Sequence, residues 1–214
     1  MKTVDIILVK YNVPEFEKKT IRSVLKNTDE PYGLIVYQNS FKDENLSTVW
    51  NKLISKSEAE YICLLNSDLL VEKNWLKKLL EVFEREYKTD IRQREVGAVG
   101  PVTNYAGGKQ GQIKKVNEYK AIETGTLSGF CLVFPKRIWQ EVGGFNEIYK
   151  LYAEDSEFCY HIRQKYKLII RQDVFIYHYG GISTKKAIKA GKDIQGILEE
   201  SRKIYRKISA GNHT

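Results

Sequence analysis

Four polar clusters interrupt the apolar segments of this 214-residue chain: Tyr11-Asn12, Asn66-Ser67-Asp68, Glu154-Asp155 and His178-Tyr179-Gly180-Gly181-Ile182-Ser183. The second is the sharpest. The run Ile62-Cys63-Leu64-Leu65 stops on Asn66, Ser67 and Asp68 and resumes at Leu69-Leu70-Val71, so a buried strand would deliver one carboxylate at its carboxyl end. In an α/β sheet that is where a metal-bound phosphate is held. Glu154-Asp155 adds two adjacent acids, which raise each other's pKa when both enter a cleft and so suit proton transfer. His178 offers an imidazole nitrogen to a metal or to a phosphate, and Gly180-Gly181 lets backbone approach a phosphate closely. Each cluster also has a plainer use. An Asp after a strand turns the chain or caps a helix, a Glu-Asp pair complements a helix macrodipole, and a histidine at a strand end can be a hydrogen-bonded surface residue.

The elements that would position these residues alternate through the first half. Val4 to Val9 is a β-branched run, and Glu15 to Lys26 reads as a helix with Phe16, Ile21, Val24 and Leu25 inward. Leu34 to Tyr37 is a second strand, Leu46 to Ser57 a helix with Val49, Leu53 and Ile54 on one face, Tyr61 to Leu65 a third strand and Trp75 to Tyr87 a third helix. That order predicts a parallel doubly wound sheet with Tyr11, Asn39 and Asp68 at its carboxyl ends. Beyond Val96 to Pro101 the alternation fails: residues 103–123 read as a polar loop over the site. A strand from Leu127 to Phe134, a short helix from Arg137 to Val142, a turn at Gly143-Gly144, a helix from Ser156 to Lys165 and two short strands, Leu168 to Ile170 and Val174 to Tyr177, follow.

Composition narrows the function class. With 42% hydrophobic and 29% charged residues the chain is an ordinary globular one, long enough for one large core. A net charge of +8 calls for an anionic partner, a nucleotide, a phospholipid surface or a nucleic acid, but no nucleic-acid-binding module is legible. Residues 185–207 hold eight lysines or arginines against three acids, interspersed with Ile188, Ile194, Ile197, Leu198, Ile204, Tyr205 and Ile208. This basic amphipathic tail either docks on the domain or meets an anionic membrane. No apolar run approaches the roughly 18 residues of a membrane span or forms a signal peptide, which places the chain in the cytoplasm, with contact at the inner face of the membrane through the tail as an option. Cys63, Cys131 and Cys159 lie in apolar segments without metal-ligand spacing and read as buried free thiols.

Taken together, these motifs resemble the family 2 glycosyltransferases of the GT-A fold over residues 3–183, with the rhamnosyltransferase-like subgroup kept open. Val4 to Asn12 looks like the family's opening strand and nucleotide-contacting Tyr-Asn. Asn66-Ser67-Asp68 stands in the place of its Asp-X-Asp motif, and Leu127 to Phe134 with Trp139-Gln140-Glu141-Val142-Gly143-Gly144-Phe145-Asn146-Glu147 is similar to its donor-sugar wall and Gly-Gly-Phe-Asp-Glu signature. Tyr152-Ala153-Glu154-Asp155 resembles the Glu-Asp motif that carries the catalytic base, and His178 to Ser183 the His-X-Gly-Gly-X-Ser element.

The resemblance implies a Rossmann-like, mostly parallel sheet flanked by helices, with a smaller acceptor-side portion: a single domain over 1–183, its nucleotide half 1–101 and donor-sugar and acceptor half 102–183, followed by a helical tail over 184–214. It implies an inverting, hexosyltransferase-type enzyme of glycan biosynthesis, transferring from a UDP- or dTDP-sugar to a hydroxyl of a glycan, lipid-linked or protein acceptor. Asp155 would be the base, with Glu154 beside it on sugar or acceptor hydroxyls. Asp68, with His178, would hold Mn2+ or Mg2+. Val9, Tyr11, Asn12, Gln38, Asn39, Asn51, Asn66 and Ser67 would meet the nucleotide, and Ser128, Gly129, Phe130 and Tyr152 the donor sugar and acceptor. Gln38, Asn66 and Asn146 stand where the family carries acids, which leaves a catalytically idle nucleotide- or glycan-binding module as the alternative.

Overall fold

The computed structural model describes residues 3–39, 45–88 and 94–211; the ends of the expected domain and tail, 1–2 and 212–214, lie outside the described residues. An eight-stranded sheet runs in the order β2 (Gly33–Gln38), β1 (Val4–Lys10), β3 (Tyr61–Asn66), β7 (Cys131–Pro135), β5 (Val96–Thr103), β8 (Lys167–His178) and β4 (Leu69–Val71), with β6 (Ala121–Thr124) paired to β8. Five strands run one way, β2, β1, β3, β5 and β8, and β7, β4 and β6 run against them. Alternation along β1 serves two cores. Ile6 and Leu8 face the helices α1 (Pro14–Asn27) and α3 (Trp75–Lys88), whereas Ile7 and Val9 join Trp50, Phe134, Phe145 and Phe158 beneath α2 (Leu46–Lys56), α4 (Lys136–Val142) and α5 (Glu154–Ile162). The parallel register sets Lys10 against Gln38 and Val9 against Asn66 at the carboxyl ends of the three strands.

Helix α1 differs from its periodicity. Leu25 is 60% exposed, because polar Thr20 and Glu17 take the inward positions with Val24. Thr20 Oγ1 accepts from Leu69 N at 2.9 Å, Ser23 Oγ accepts from Val71 N at 3.1 Å and Asn27 Nδ2 donates to Val71 O at 2.9 Å, so α1 side chains satisfy the free edge of β4. Glu17 receives Tyr11 N (3.1 Å) and Val13 N (2.9 Å) and fixes the turn after β1.

The expected strand from Leu127 narrows to Cys131–Pro135, and the two short strands after residue 167 are one, β8. That strand is bent. Pro101 pairs with Arg171 but the next residue, Val102, pairs with Phe175, so β8 carries three extra residues there. The distal piece crosses to β4 in the register Leu69↔His178, and β4 follows β3 after only Ser67 and Asp68. The polar stretch 103–123 holds a single 3-10 turn, Lys109–Gly111, before β6 begins. Beyond β8 come α6 (Ile182–Lys189) and α7 (Ile194–Gly211). Helix α7 docks on the domain through Ser201 Oγ to Leu151 O (2.8 Å) and an edge-on Tyr160–Tyr205 contact. Among the described residues no helix is long and apolar enough to cross a membrane.

Candidate active site

A cavity of about 350 Å3 opens where β1, β3 and β8 end. Asp68 and His178 form its floor, 5% and 8% exposed, with His178 Nε2 3.2 Å from Asp68 Oδ1. The bend in β8 is what brings them together. His178 Nδ1 lies 2.7 Å from the carbonyl oxygen of Tyr105, which can only accept, so the proton sits on Nδ1. Asn104 clamps the same residue from behind, receiving His178 N at 2.8 Å and donating to His178 O at 2.9 Å. Phe130 stacks on the imidazole with ring centroids 5.5 Å apart.

Across the cavity, Tyr152 and Ala153 take positive φ values of 67° and 70°, a strained pair for residues with side chains, and deliver Glu154 and Asp155 at the start of α5. Asp155 is firmly held: Oδ2 receives Gly129 N at 2.8 Å and Oδ1 receives Ser156 N at 2.7 Å. A Cβ at position 129 would stand 3.1 Å from Trp50 and 3.3 Å from Asp155 Cβ, so a side chain there would press both neighbours outward. Burial raises the Asp155 carboxyl above its ordinary range, and the three hydrogen bonds from Gly129 and Ser156 oppose this. Glu154 has no such support. It is 6% exposed, its Oε2 has no hydrogen-bond partner, and burial followed by the neighbouring Asp155 charge pushes it up to about 8.

Twelve of the expected site residues line this one cavity: Val9, Tyr11, Asn66, Ser67, Asp68, Ser128, Gly129, Phe130, Tyr152, Glu154, Asp155 and His178. Asn12, Gln38, Asn39 and Asn51 do not line it. Asn39 is buried behind Tyr11, whose hydroxyl is held in its protonated form by burial. Gln38 Nε2 lies 3.0 Å from Asn12 Oδ1 and 3.0 Å from Asn39 O, and Asn12, at φ 60°, gives its carbonyl to Lys186 of α6. Asn51 is engaged elsewhere. Its Oδ1 receives Trp139 Nε1 (3.0 Å) and Phe145 N (2.9 Å) while Nδ2 donates to Phe145 O (2.8 Å) and Glu147 Oε1 (2.9 Å), which pins the Gly-Gly-Phe turn. Sequence reasoning missed Trp50, Tyr105 and Leu151 as lining residues. An aromatic residue in the polar, glycine-rich stretch after β5 was the one available signal for Tyr105.

Among the described residues no three His, Cys, Asp or Glu side chains converge as a ready metal cage. The pair that does converge still fits a divalent cation. A 3.2 Å separation is close to that of adjacent ligands around an octahedral ion, about 3 Å for bonds of about 2.1 Å, and Nε2 carries its lone pair toward the carboxylate when the imidazole is neutral. Magnesium and manganese commonly complete such a site with water and phosphate oxygens.

The pattern of the family described as Glycosyl transferase family 2 matches residues 30–143, just over half of the chain. The structure of GalNAc-T7 with UDP, GalNAc and Mn2+ is similar at a TM-score of 0.65 and 14% identity, over 83% of this chain and 44% of that one. S. aureus TarS 1-349 gives 0.63 and 17% over 89% and 64%, and its complex with UDP-GlcNAc 0.62 and 16% over 87% and 61%. At these identities the likeness is one of fold, and the chain spans 44% and 64% of the length of the first two structures. No curated protein matches by sequence.

Proposed function

Because the chain belongs to glycosyl transferase family 2, we propose that it is a glycosyltransferase moving a sugar from a nucleoside diphosphate, UDP or dTDP, to an acceptor hydroxyl with inversion of the anomeric centre. One observation carries this reading: a single cavity holds the Asp68–His178 pair on its floor and the Glu154–Asp155 pair on its wall, with Tyr11 and Asn66 beside them at the carboxyl ends of β1 and β3. The donor's diphosphate would lie over Ser67 and Asp68. Gln38, its Nε2 committed to Asn12 and Asn39, would offer Oε1 to the imide N–H of a uracil or thymine ring. Asp68 and His178 would hold Mn2+ or Mg2+, which when bound supplies positive charge for the leaving diphosphate.

Asp155 would receive the proton of the attacking hydroxyl. Its anchorage to Gly129 and Ser156 fixes its direction before the acceptor arrives, and its raised pKa makes it a better base than a solvated carboxylate. Direct displacement by a hydroxyl on the face opposite the diphosphate inverts the anomeric centre. Glu154, neutral at pH 7, would donate its proton in a hydrogen bond to a sugar or acceptor hydroxyl. The buried free thiols suit a reducing cytoplasm, and the exposed lysines of α6, which begins at the cavity rim, suit an anionic membrane face near the site.

Calorimetry with UDP, dTDP and GDP, each with and without Mn2+, tests the reading on wild type and Asp68→Ala. The expected result is tight binding of one pyrimidine nucleotide that requires the metal and weakens at least tenfold in the variant. Binding of none of the three would refute it.

A further inference from the structure

The Tyr105 carbonyl orients His178, but its side chain takes no part in the proposed metal binding or proton transfer, and its placement calls for a role. It follows β5 and lines the cavity, yet it is 55% exposed, one of the few large apolar side chains left open to water among the described residues. The ring is nonetheless fixed. It stands edge-on to His178 with centroids 5.5 Å apart and planes at 84°, while its own carbonyl receives His178 Nδ1. On another side it packs against the backbone of Gly180, where a Cβ would come within 2.4 Å of a ring carbon, so glycine is required for the fit as well as for the φ of 71°. A rigid aromatic surface is thus presented at the mouth of a cavity that also offers polar groups. Ser128 and Ser183 line it with their hydroxyls, the Thr184 hydroxyl is paired with that of Tyr152 at 2.7 Å, and Glu154 Oε2 is buried in its wall without a partner.

We infer that Tyr105 is the stacking platform of an acceptor subsite that takes a pyranose ring, so that the acceptor presents a sugar hydroxyl. This rests on the proposed glycosyl transfer and deepens it. A pyranose has an apolar face of C–H bonds and a rim of hydroxyls, and it needs both an aromatic surface and unsatisfied hydrogen-bonding groups. The cavity supplies both, the first from Tyr105 at its mouth and the second from Glu154 on its wall and the Ser128 and Ser183 hydroxyls. A lipid chain would need a continuous apolar groove instead, and here the aromatic ring is bordered by glycines 180 and 181.

The test uses saturation-transfer NMR on the intact protein with UDP and Mg2+ present, and as probes the methyl glycosides of glucose, galactose, N-acetylglucosamine and rhamnose together with octyl glucoside. The expected result is transfer to the ring protons of one face of at least one glycoside, about tenfold weaker binding in Tyr105→Leu, and retention in Tyr105→Phe. Calorimetric UDP affinity stays within twofold in both variants and confirms that they are folded. Three results overturn the inference: no glycoside signal although UDP binds, a signal that survives Tyr105→Leu, or transfer confined to the octyl chain. Failure of the wild type to bind UDP is a separate outcome that removes the donor-site reading, and the subsite falls with it.

Discussion

Glu154 and Asp155 are adjacent acids held in opposite ways, and the difference separates their chemistry. Asp155 has both oxygens anchored by N–H groups, whereas one oxygen of Glu154 is buried without a partner. Asp155→Asn keeps an acceptor for Gly129 N–H and removes the proposed base. It should lower turnover by about 10²- to 10⁴-fold, followed as UDP release from the donor, with UDP affinity unchanged. Glu154 makes the contrary prediction about stability. Its folded pKa, about 8, lies above the ordinary 4.5, so between these values the native state binds more protons than the unfolded one and stability falls as pH rises. Glu154→Gln mimics the neutral form. Its melting temperature should match wild type near pH 4.5 and exceed it by a few degrees at pH 8 and above; a gap independent of pH would refute the burial argument. The family resemblance gave Asp155 the role of base and Glu154 that of a hydroxyl contact, but the sequence could not show how differently the two are held, because Asp155 is anchored by Gly129, 26 residues away.

At the level of elements, the regular first half was legible because each helix and strand there carries its own period. The exceptions have identifiable causes. Strand β4, three residues long, has too few positions for a pattern, and the bend of β8 shows in sequence only as two short apolar runs around Arg171-Gln172-Asp173. Yet that bend creates the Asp68–His178 pair, so the floor of the cavity depends on tertiary register. Asn51 makes the same point for a helix. Read from the family resemblance it belongs to the nucleotide, while the structure gives its amide to Trp139, Phe145 and Glu147. Asn51→Ala leaves the N–H groups of buried Phe145 and half-buried Trp139 without their acceptor. It should cost about 2–4 kcal/mol, or roughly 4–16 °C in melting temperature, with UDP affinity within twofold. A large loss of UDP affinity at unchanged stability would return Asn51 to the nucleotide.

At the level of the whole molecule, charge is unevenly placed. Residues 185–207 carry a net charge of +5 out of the chain's +8. Docking of α7 through Ser201 and Tyr205 turns Arg202, Lys203, Arg206 and Lys207 to solvent, and α6 exposes Lys185, Lys189 and Ile188 beyond the turn that lines the cavity. The sequence reading held a basic amphipathic tail, with docking and membrane contact as alternatives. The two are compatible, since the docked helices keep these basic side chains out of the core. A surface of this kind should bind vesicles containing about 30% anionic lipid, release them as salt rises through a few hundred millimolar, and ignore neutral vesicles. Each lysine near such a surface contributes about 1 kcal/mol, so reversing Lys185, Lys189, Lys203 and Lys207 to glutamate should weaken binding more than a hundredfold in co-sedimentation. UDP affinity should not change, because none of the four lines the cavity. Equal binding to neutral vesicles, or no effect of the reversals, would assign the charge to solubility alone and leave the cavity's acceptor to arrive from solution.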